Sequence, residues 1–375
     1  MAAREAEQLI RGELIVALNG RRAAARPMRE GMRGELDMRW RNLIVAALLT
    51  LVPLPAAAQT DRRLVAILAR WDKDEHPDLK AVVVLRDGKR IAERYYNGER
   101  PDTLHDVRSA GKSVTSLLLG IARDRGSIRS LADPVSAYWP QARGSAVGEV
   151  TITDILTMRS GLAADDDEPT SPGNEDKLDD AVDPVTLTLS VPRSGTPGAI
   201  YLYNSLTAYV AGLVVAKASG RSMVDFADDH LFRPLGVPRG SWRWASDRLG
   251  NTKGQGNLWL TARNFAAIGE MVRGQGVYRG RRIVSAAWLR DALAPHVSIG
   301  SGDPYADSYG YFWYGKTYRI AGHDVHVSFA SGNGGNKIYV VKQRRMVVAI
   351  TSSAYGRGYG QRRSEAILKA ILAAD

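Results

Sequence analysis

The chain has 375 residues, of which 45% are hydrophobic, so it is long enough to bury one large core or two moderate ones. It contains no cysteine, which excludes disulfides, thiolate catalysis and cysteine-ligated metal sites. The formal net charge of +11 is scattered among acidic residues, so we predict a solvated surface and no nucleic-acid binding. The six histidines include no HExxH pattern, and neither a metal nor another cofactor is predicted.

The first recognisable pattern spans residues 38–58. It starts at Met38 with two nearby arginines, continues as a short apolar run over residues 43–54 and ends in small residues, which is typical of a secretory signal peptide. We predict cleavage after Ala58 and a periplasmic or secreted protein without stable membrane association. Residues 1–37 precede this pattern, so they are predicted to be a mis-assigned start or disordered; a membrane-tethered N-terminus is the alternative.

A β-hairpin and a helix follow. Residues 81–85 and 90–96 have strand composition and flank Asp87-Gly88, a pair typical of a tight hairpin turn. Residues 113–125 have helical spacing and are followed by Gly126. Since glycine commonly ends helices, we predict a helix that stops there.

The motif Ser109-Ala110-Gly111-Lys112 directly precedes that helix. A spacing of three places the two polar side chains on one face of a first helical turn, and no other lysine has serine or threonine three residues before it. A desolvated lysine whose pKa falls towards neutrality can take the proton of a serine hydroxyl. We therefore predict Ser109 as a nucleophile and Lys112 as its base; an ordinary helix cap is the alternative.

Residues 163–200 are rich in acidic residues, proline and glycine. They are predicted to form a long loop, either a lid over a site or a solvated surface loop. The spacing of the acids does not match an EF-hand, so a calcium site is the weaker reading.

The remaining patterns alternate between helical and strand-like segments. Helices are predicted over residues 207–219, 223–231, 261–273, 285–293 and 363–374, and strands over residues 318–320, 326–329, 338–341 and 346–351. With strands at both ends, the order predicts an α+β protein. Residues 59–108 and 255–375 would share one antiparallel sheet flanked by helices, and residues 109–254 would form an inserted, mostly helical domain. The cleft between them is the predicted site.

Three separated motifs carry a resemblance to a known family. They are Ser109-Ala110-Gly111-Lys112, residues 197–205 with Tyr203-Asn204-Ser205, and residues 329–336 with Ser331-Gly332-Asn333. In this order they resemble the class C β-lactamase-related serine hydrolases of the β-lactamase and penicillin-binding-protein superfamily, in the branch with esterases and nylon-oligomer hydrolases. The resemblance covers nearly all of residues 80–375 and implies a β-lactamase-like fold.

The same resemblance implies roles for individual residues. Tyr203 would move protons together with Lys112, and the backbone N–H groups of Ser109 and Asn333 would form the oxyanion hole. The residues expected to contact the substrate are Asn204, Ser205, Ser331 and Gly332.

Two positions depart from the family pattern. Ser205 stands where most members have asparagine, and Ala330-Ser331-Gly332 stands where β-lactamases have a triplet that contains lysine or histidine. Loss of that cation is expected to weaken carboxylate binding by about 1.5–3 kcal/mol. Efficient penicillin hydrolysis is therefore disfavoured.

The sequence predicts an exported serine hydrolase that cleaves a small-molecule ester or amide through an acyl-Ser109 intermediate. A β-lactamase or D-alanyl-D-alanine carboxypeptidase is one alternative, and a catalytically silent penicillin-binding-like sensor is another. No Gly-x-Ser-x-Gly motif occurs, and Asp106 stands where a phosphate loop would need glycine, which argues against those two enzyme classes. The oligomeric state is left open.

Overall fold

The computed structural model describes residues 56–375. The predicted start segment, residues 1–37, lies outside the described residues, as does all but the last three residues of the predicted signal peptide, 38–58. Within residues 56–375, no helix has both the length and the apolar character needed to cross a membrane.

Strands from both ends of the described chain form the central sheet. In chain order the strands are β1 (Leu79–Arg86), β2 (Lys89–Tyr95), β3 (His105–Asp106), β4 (Trp242–Trp244), β5 (Leu258–Leu260), β6 (Val277–Tyr278), β7 (Arg281–Arg282), β8 (Val297–Ser298), β9 (Ser308–Tyr309), β10 (Tyr314–Ile320), β11 (His323–Gly332), β12 (Asn336–Val341) and β13 (Met346–Ser352). Eight of them form one antiparallel sheet in the order β2–β1–β13–β12–β11–β10–β9–β8. This sheet confirms the predicted α+β class.

Helices cover the sheet and fill the middle of the chain. They are α1 (Ala56–Ala69), α2 (Ala110–Asp124), α3 (Ile152–Leu156), α4 (Glu175–Asp180), α5 (Pro184–Ser190), α6 (Ser205–Ser219), α7 (Met223–Ala227), α8 (Ala262–Arg273), α9 (Ala286–Ala292) and α10 (Gly358–Ala374). A π-helical turn over Asp228–Phe232 continues α7.

The first hairpin forms as its turn chemistry predicts. Asp87 and Gly88 both take positive φ angles, 50° and 73°, and Arg86 pairs with Lys89 across the turn. Positive φ at both central positions is the type I′ turn, whose twist matches that of the paired strands.

The segment 163–200 differs from its predicted form as a long loop, because it contains α4 and α5. Both helices have side-chain caps: Asn174 accepts from the N–H of Asp176, and Asp183 accepts from the N–H of Thr186. Each cap satisfies a backbone N–H at the start of its helix and so stabilises short helices in a segment whose composition is typical of a loop.

A small second sheet has the order β3–β5–β4. The predicted domain boundaries lie at residues 108 and 254. This sheet joins β3 and β5, from the predicted sheet domain, with β4, from the predicted helical domain. Residues 56–375 form one compact unit, and the division into a sheet domain and a helical domain stays a prediction.

Helix α8 packs on the sheet through a glycine. A Cβ added at Gly269 would lie 2.5 Å from Ile338 Cγ2 on β12 and 2.6 Å from Val347 Cγ1 on β13. Such separations are far shorter than van der Waals contact, so α8 can pack this close to the sheet only because position 269 carries no side chain.

We expect Gly269→Ala to lower the free energy of unfolding by roughly 1–3 kcal/mol, because the added methyl overpacks the core. Denaturant midpoints at an unchanged m-value would measure the loss. Gly195→Ala is the matched control, since its added Cβ has no atom within 4 Å, and it should change stability by less than about 0.5 kcal/mol. Equal stability of Gly269→Ala and the wild type would contradict this packing.

Candidate active site

A strained turn places Ser109 at the start of α2. The preceding residue, Arg108, takes a left-handed backbone conformation with φ 52°, which is costly for a residue with a side chain. Two contacts hold it: its N–H donates to Asp106 Oδ1 at 2.9 Å, and its guanidinium lies 4.4 Å from the ring centroid of Tyr355. The turn is therefore fixed by its neighbours, and Ser109 lines a cavity.

Lys112 lies buried beneath Ser109, with an exposed fraction of 2%. Its Nζ donates to Ser109 Oγ at 3.0 Å, to Ser205 Oγ at 3.0 Å and to the carbonyl oxygen of Gln255 at 2.9 Å. An ammonium has three donors, so each one has a partner. These hydrogen bonds offset part of the cost of burying the charge and fix Nζ against Ser109.

The charge state of Lys112 differs from the sequence-based expectation. Burial works to lower its pKa, but the nearby Tyr203, Glu175 and Asp166 outweigh burial, and the pKa of Lys112 is raised above its ordinary value. The ammonium form therefore predominates at neutral pH. The expected fall of this pKa towards neutrality is wrong, because Tyr203 lies beside the amine and Glu175 and Asp166 of the acidic segment lie near it.

Tyr203 shares the cavity with Ser109. Its ring centroid lies 5.0 Å from Lys112 Nζ. The structure thus brings together all three residues predicted to act in catalysis.

The edge of β11 lies directly against the turn that precedes α2. A Cβ added at Gly332 would lie 2.1 Å from the carbonyl oxygen of Val107, so only glycine permits this approach. The backbone N–H groups of Ser109 and Asn333 donate no hydrogen bond to another group within residues 56–375. Both residues line the cavity, where two free N–H donors could stabilise an oxyanion.

The cavity has a volume of about 520 Å³ and an acidic lining. A neighbouring cavity of about 560 Å³ shares Asp167, Tyr203 and Tyr314 with it. The only basic residue in the lining of the first cavity is Arg108, and the acidic ones are Asp166, Asp167, Glu175, Asp176 and Asp179. A chain with positive net charge therefore has an active-site cavity of opposite sign.

Two of the four residues predicted to contact the substrate line this cavity, Ser331 and Gly332. Asn204 is instead 1% exposed and caps α6: its Oδ1 accepts from the N–H of Thr207 at 2.8 Å. Ser205 is also buried and holds Lys112. The placement of Asn204 and Ser205 departs from the predicted contact with substrate and gives both residues a positioning role.

A buried lysine lies beside the strand that carries Ala330. Position 330 is uncharged, as the sequence shows, but Nζ of Lys337 reaches Ser331 Oγ from the neighbouring strand β12, at 2.7 Å. The triplet itself lacks a cation, and the adjacent strand supplies one behind Ser331. The hairpin register, which pairs Ser331 with Lys337, is the signal that could have revealed it.

Comparison with known proteins gives the family. A family model described as "Beta-lactamase" matches residues 71–372. The chain belongs to the β-lactamase family. The resemblance stated from the three motifs is confirmed, together with the predicted β-lactamase-like fold. Within residues 56–375, no group of three or more histidine, aspartate or glutamate side chains is placed to hold a metal ion.

Individual relatives are distant. The 6-aminohexanoate-dimer hydrolase of Paenarthrobacter ureafaciens is 28% identical over an alignment of 233 residues, which covers 57% of this chain and 57% of that protein. A family VIII carboxylesterase has a TM-score of 0.65 and 16% identity, with coverage of 83% of this chain and 97% of that chain. A class C β-lactamase has a TM-score of 0.62 and 17% identity, with coverage of 84% and 96%. At such identities the two structures show the fold alone.

We expect Asn204→Ala to lower the free energy of unfolding by about 0.5–2 kcal/mol, because α6 loses its N-cap. The KM for a small ester should stay within about twofold of the wild-type value, since Asn204 does not line the cavity. Asn204→Ser is the control and should keep most of the stability, because serine is also a good N-cap. A large rise in KM with unchanged stability would instead favour the substrate contact.

Proposed function

We propose that this member of the β-lactamase family is an exported serine hydrolase that cleaves a small ester or amide through an acyl-Ser109 intermediate. The observation that carries the proposal is the 3.0 Å hydrogen bond from Lys112 Nζ to Ser109 Oγ, in a cavity that also holds Tyr203. One relative is named a 6-aminohexanoate-dimer hydrolase and one similar structure is a carboxylesterase, and both support this substrate class.

In the acylation step, Ser109 Oγ bonds to the substrate carbonyl carbon while its proton passes to the Tyr203 oxygen, which enters the step as a phenolate beside the Lys112 ammonium. The carbonyl oxygen gains the electron pair of its double bond and is held by the N–H groups of Ser109 and Asn333. The intermediate collapses when Tyr203 returns the proton to the leaving alcohol or amine, as the C–O or C–N bond breaks. Lys112, as an ammonium, stabilises the negative charge that develops on Ser109 Oγ when this oxygen attacks and when it later leaves.

In the deacylation step, a water molecule takes the place of the leaving group. Tyr203 accepts a proton from the water as the water oxygen bonds to the acyl carbon. Tyr203 then donates this proton to Ser109 Oγ as the ester bond to the enzyme breaks. The acid product leaves, and the site returns to its starting state.

The charge of the cavity favours neutral or positively charged substrates over anionic β-lactams. The lining holds five acidic residues and one arginine, although Asp179 is paired with Lys253 at 2.8 Å. A carboxylate entering this cavity meets like charge, which costs on the order of 1 kcal/mol for each unscreened neighbour at about 8 Å and an effective dielectric constant of about 40.

A β-lactamase or carboxypeptidase activity is the second candidate. The ammonium of Lys337 behind Ser331 favours it, because it supplies a positive charge near the place where a substrate carboxylate would lie. A silent sensor is the third candidate, and absence of turnover on every substrate would favour it.

We expect Ser109→Ala and Lys112→Met each to reduce kcat/KM for p-nitrophenyl hexanoate by at least about a thousandfold, because the nucleophile or its charge partner is lost. Ser116→Ala is the matched control: it lies on the same helix, and its hydroxyl has no hydrogen-bond partner within residues 56–375. Nitrocefin should turn over more slowly than the ester. Faster nitrocefin turnover would favour the β-lactamase reading, and full ester activity in Ser109→Ala would overturn the proposal.

Export rests on the pattern of residues 38–58. Expression of the full chain in a bacterial host, followed by mass spectrometry of its N-terminus, should give a mature protein that begins at Gln59 in the periplasmic or culture fraction. A protein retained in the cytoplasm with residues before 59 still attached would contradict export and leave the proposed chemistry intact.

A further inference from the structure

Lys337 is a buried ammonium that the proposed reaction does not use. It lies on β12 with an exposed fraction of 2%, and its Nζ lies 4.8 Å from the ring centroid of Phe329. No carboxylate comes within 4.0 Å of this Nζ in residues 56–375; the nearby Glu365 pairs with Lys316 and Lys369 instead. Burying a charge without an ion pair costs free energy, so this ammonium needs another interaction that offsets the cost.

The only hydrogen bond of this ammonium within residues 56–375 goes to Ser331 Oγ, at 2.7 Å. Ser331 lines the same cavity as Ser109 and Asn333, whereas Lys337 stays behind the sheet surface. Because an ammonium can only donate, Ser331 must accept from it. The hydroxyl hydrogen of Ser331 has no acceptor among the described residues and remains available to the cavity.

We propose, on the basis of the proposed hydrolase function, that Lys337 is a positioning residue that turns the Ser331 hydroxyl hydrogen into the cavity, where it donates to a second carbonyl oxygen of the substrate. Ser331 and Asn333 are two residues apart along an extended strand end, a distance of about 6–7 Å. The second acceptor would therefore lie about that far from the carbonyl oxygen held by the oxyanion donors. The inference therefore predicts a substrate that carries an amide or ester carbonyl a few bonds beyond the scissile group.

The same geometry makes the contact sensitive to pH. Burial lowers the pKa of Lys337 to about 7; Asp303 and Glu365 act to raise it, and Lys316 acts to lower it further. Below this pH the ammonium donates to Ser331, and the hydroxyl faces the substrate. Above it the neutral amine can accept from Ser331, which withdraws the donor from the cavity. Binding of the second carbonyl therefore weakens as the pH rises through about 7.

Two matched esters test the inference with the full chain. p-Nitrophenyl N-acetyl-β-alaninate carries a second carbonyl, and p-nitrophenyl hexanoate has the same chain length without it. Between about pH 5.5 and 8.5, the wild-type KM for the first ester should rise about three- to tenfold relative to the KM for the second, which is the value of one hydrogen bond. The kcat ratio of the two esters should not follow this curve.

Variants test whether Lys337 orients the Ser331 hydroxyl or only stabilises the fold. Lys337→Met and Ser331→Ala should each show the raised KM for the acetyl-β-alaninate already at about pH 5.5, with no further rise, and the double variant should add nothing. Ser331→Thr keeps a hydroxyl and should restore the pH profile. Lys342→Met is the control: burial lowers the pKa of this lysine too, but Ser331 receives its hydrogen bond from Lys337 and not from Lys342, so this variant should behave like the wild type.

A wild-type profile retained in Lys337→Met, or a flat wild-type KM for the acetyl-β-alaninate, would overturn the inference. If Lys337→Met does not fold, Ser331→Ala decides the matter, because it removes one half-buried hydroxyl. Normal hexanoate turnover with a flat acetyl-β-alaninate profile would overturn this inference alone. Absence of hexanoate turnover in the wild type would overturn the proposed function, and this inference with it.

Discussion

The buried ammonium of Lys112 is the interaction on which the rest of the site depends. Its three hydrogen bonds reach α2 at Ser109, α6 at Ser205 and the loop at Gln255. Removing one acceptor would leave a buried charge only partly satisfied, at a cost of roughly 1–3 kcal/mol or more. The lysine thus connects three segments that are far apart in the chain, and the same contacts place its charge against Ser109 Oγ, the proposed nucleophile.

The second constraint is the close approach of the sheet to the start of α2. Gly332 brings β11 against Val107, and the free N–H groups of Ser109 and Asn333 then face one cavity. Neither element alone could form the proposed oxyanion hole. The helix supplies one donor and the sheet edge the other, so the relative position of sheet and helix determines whether the site can stabilise a developing negative charge.

Sequence reasoning reached what depends on local patterns. Spacing and turn chemistry predict the Asp87-Gly88 turn, the start of α2 near Ser109 and its end near Gly126. They also predict the strands at both ends of the described chain. The three separated motifs gave the family, because several motifs in a fixed order are more specific than any one of them.

The features that sequence reasoning missed depend on three-dimensional neighbours. The raised pKa of Lys112 comes first from Tyr203 and then from Glu175 and Asp166; the two acids come near it because residues 163–200 fold into capped helices and turns. Gln255 contributes a backbone carbonyl, which no side-chain pattern can indicate. Lys337 meets Ser331 only through the register of β11 and β12, and Asn204 is a helix cap that its motif presented as a substrate contact.

The most direct measurement of the central claim is peptide mass spectrometry after treatment of the full chain with a fluorophosphonate probe, which labels activated serine nucleophiles. The account predicts one adduct, on the peptide that contains Ser109, and a strong reduction of its formation rate in Lys112→Met. An unlabelled wild-type protein, or a label on Ser331 in place of Ser109, would contradict it.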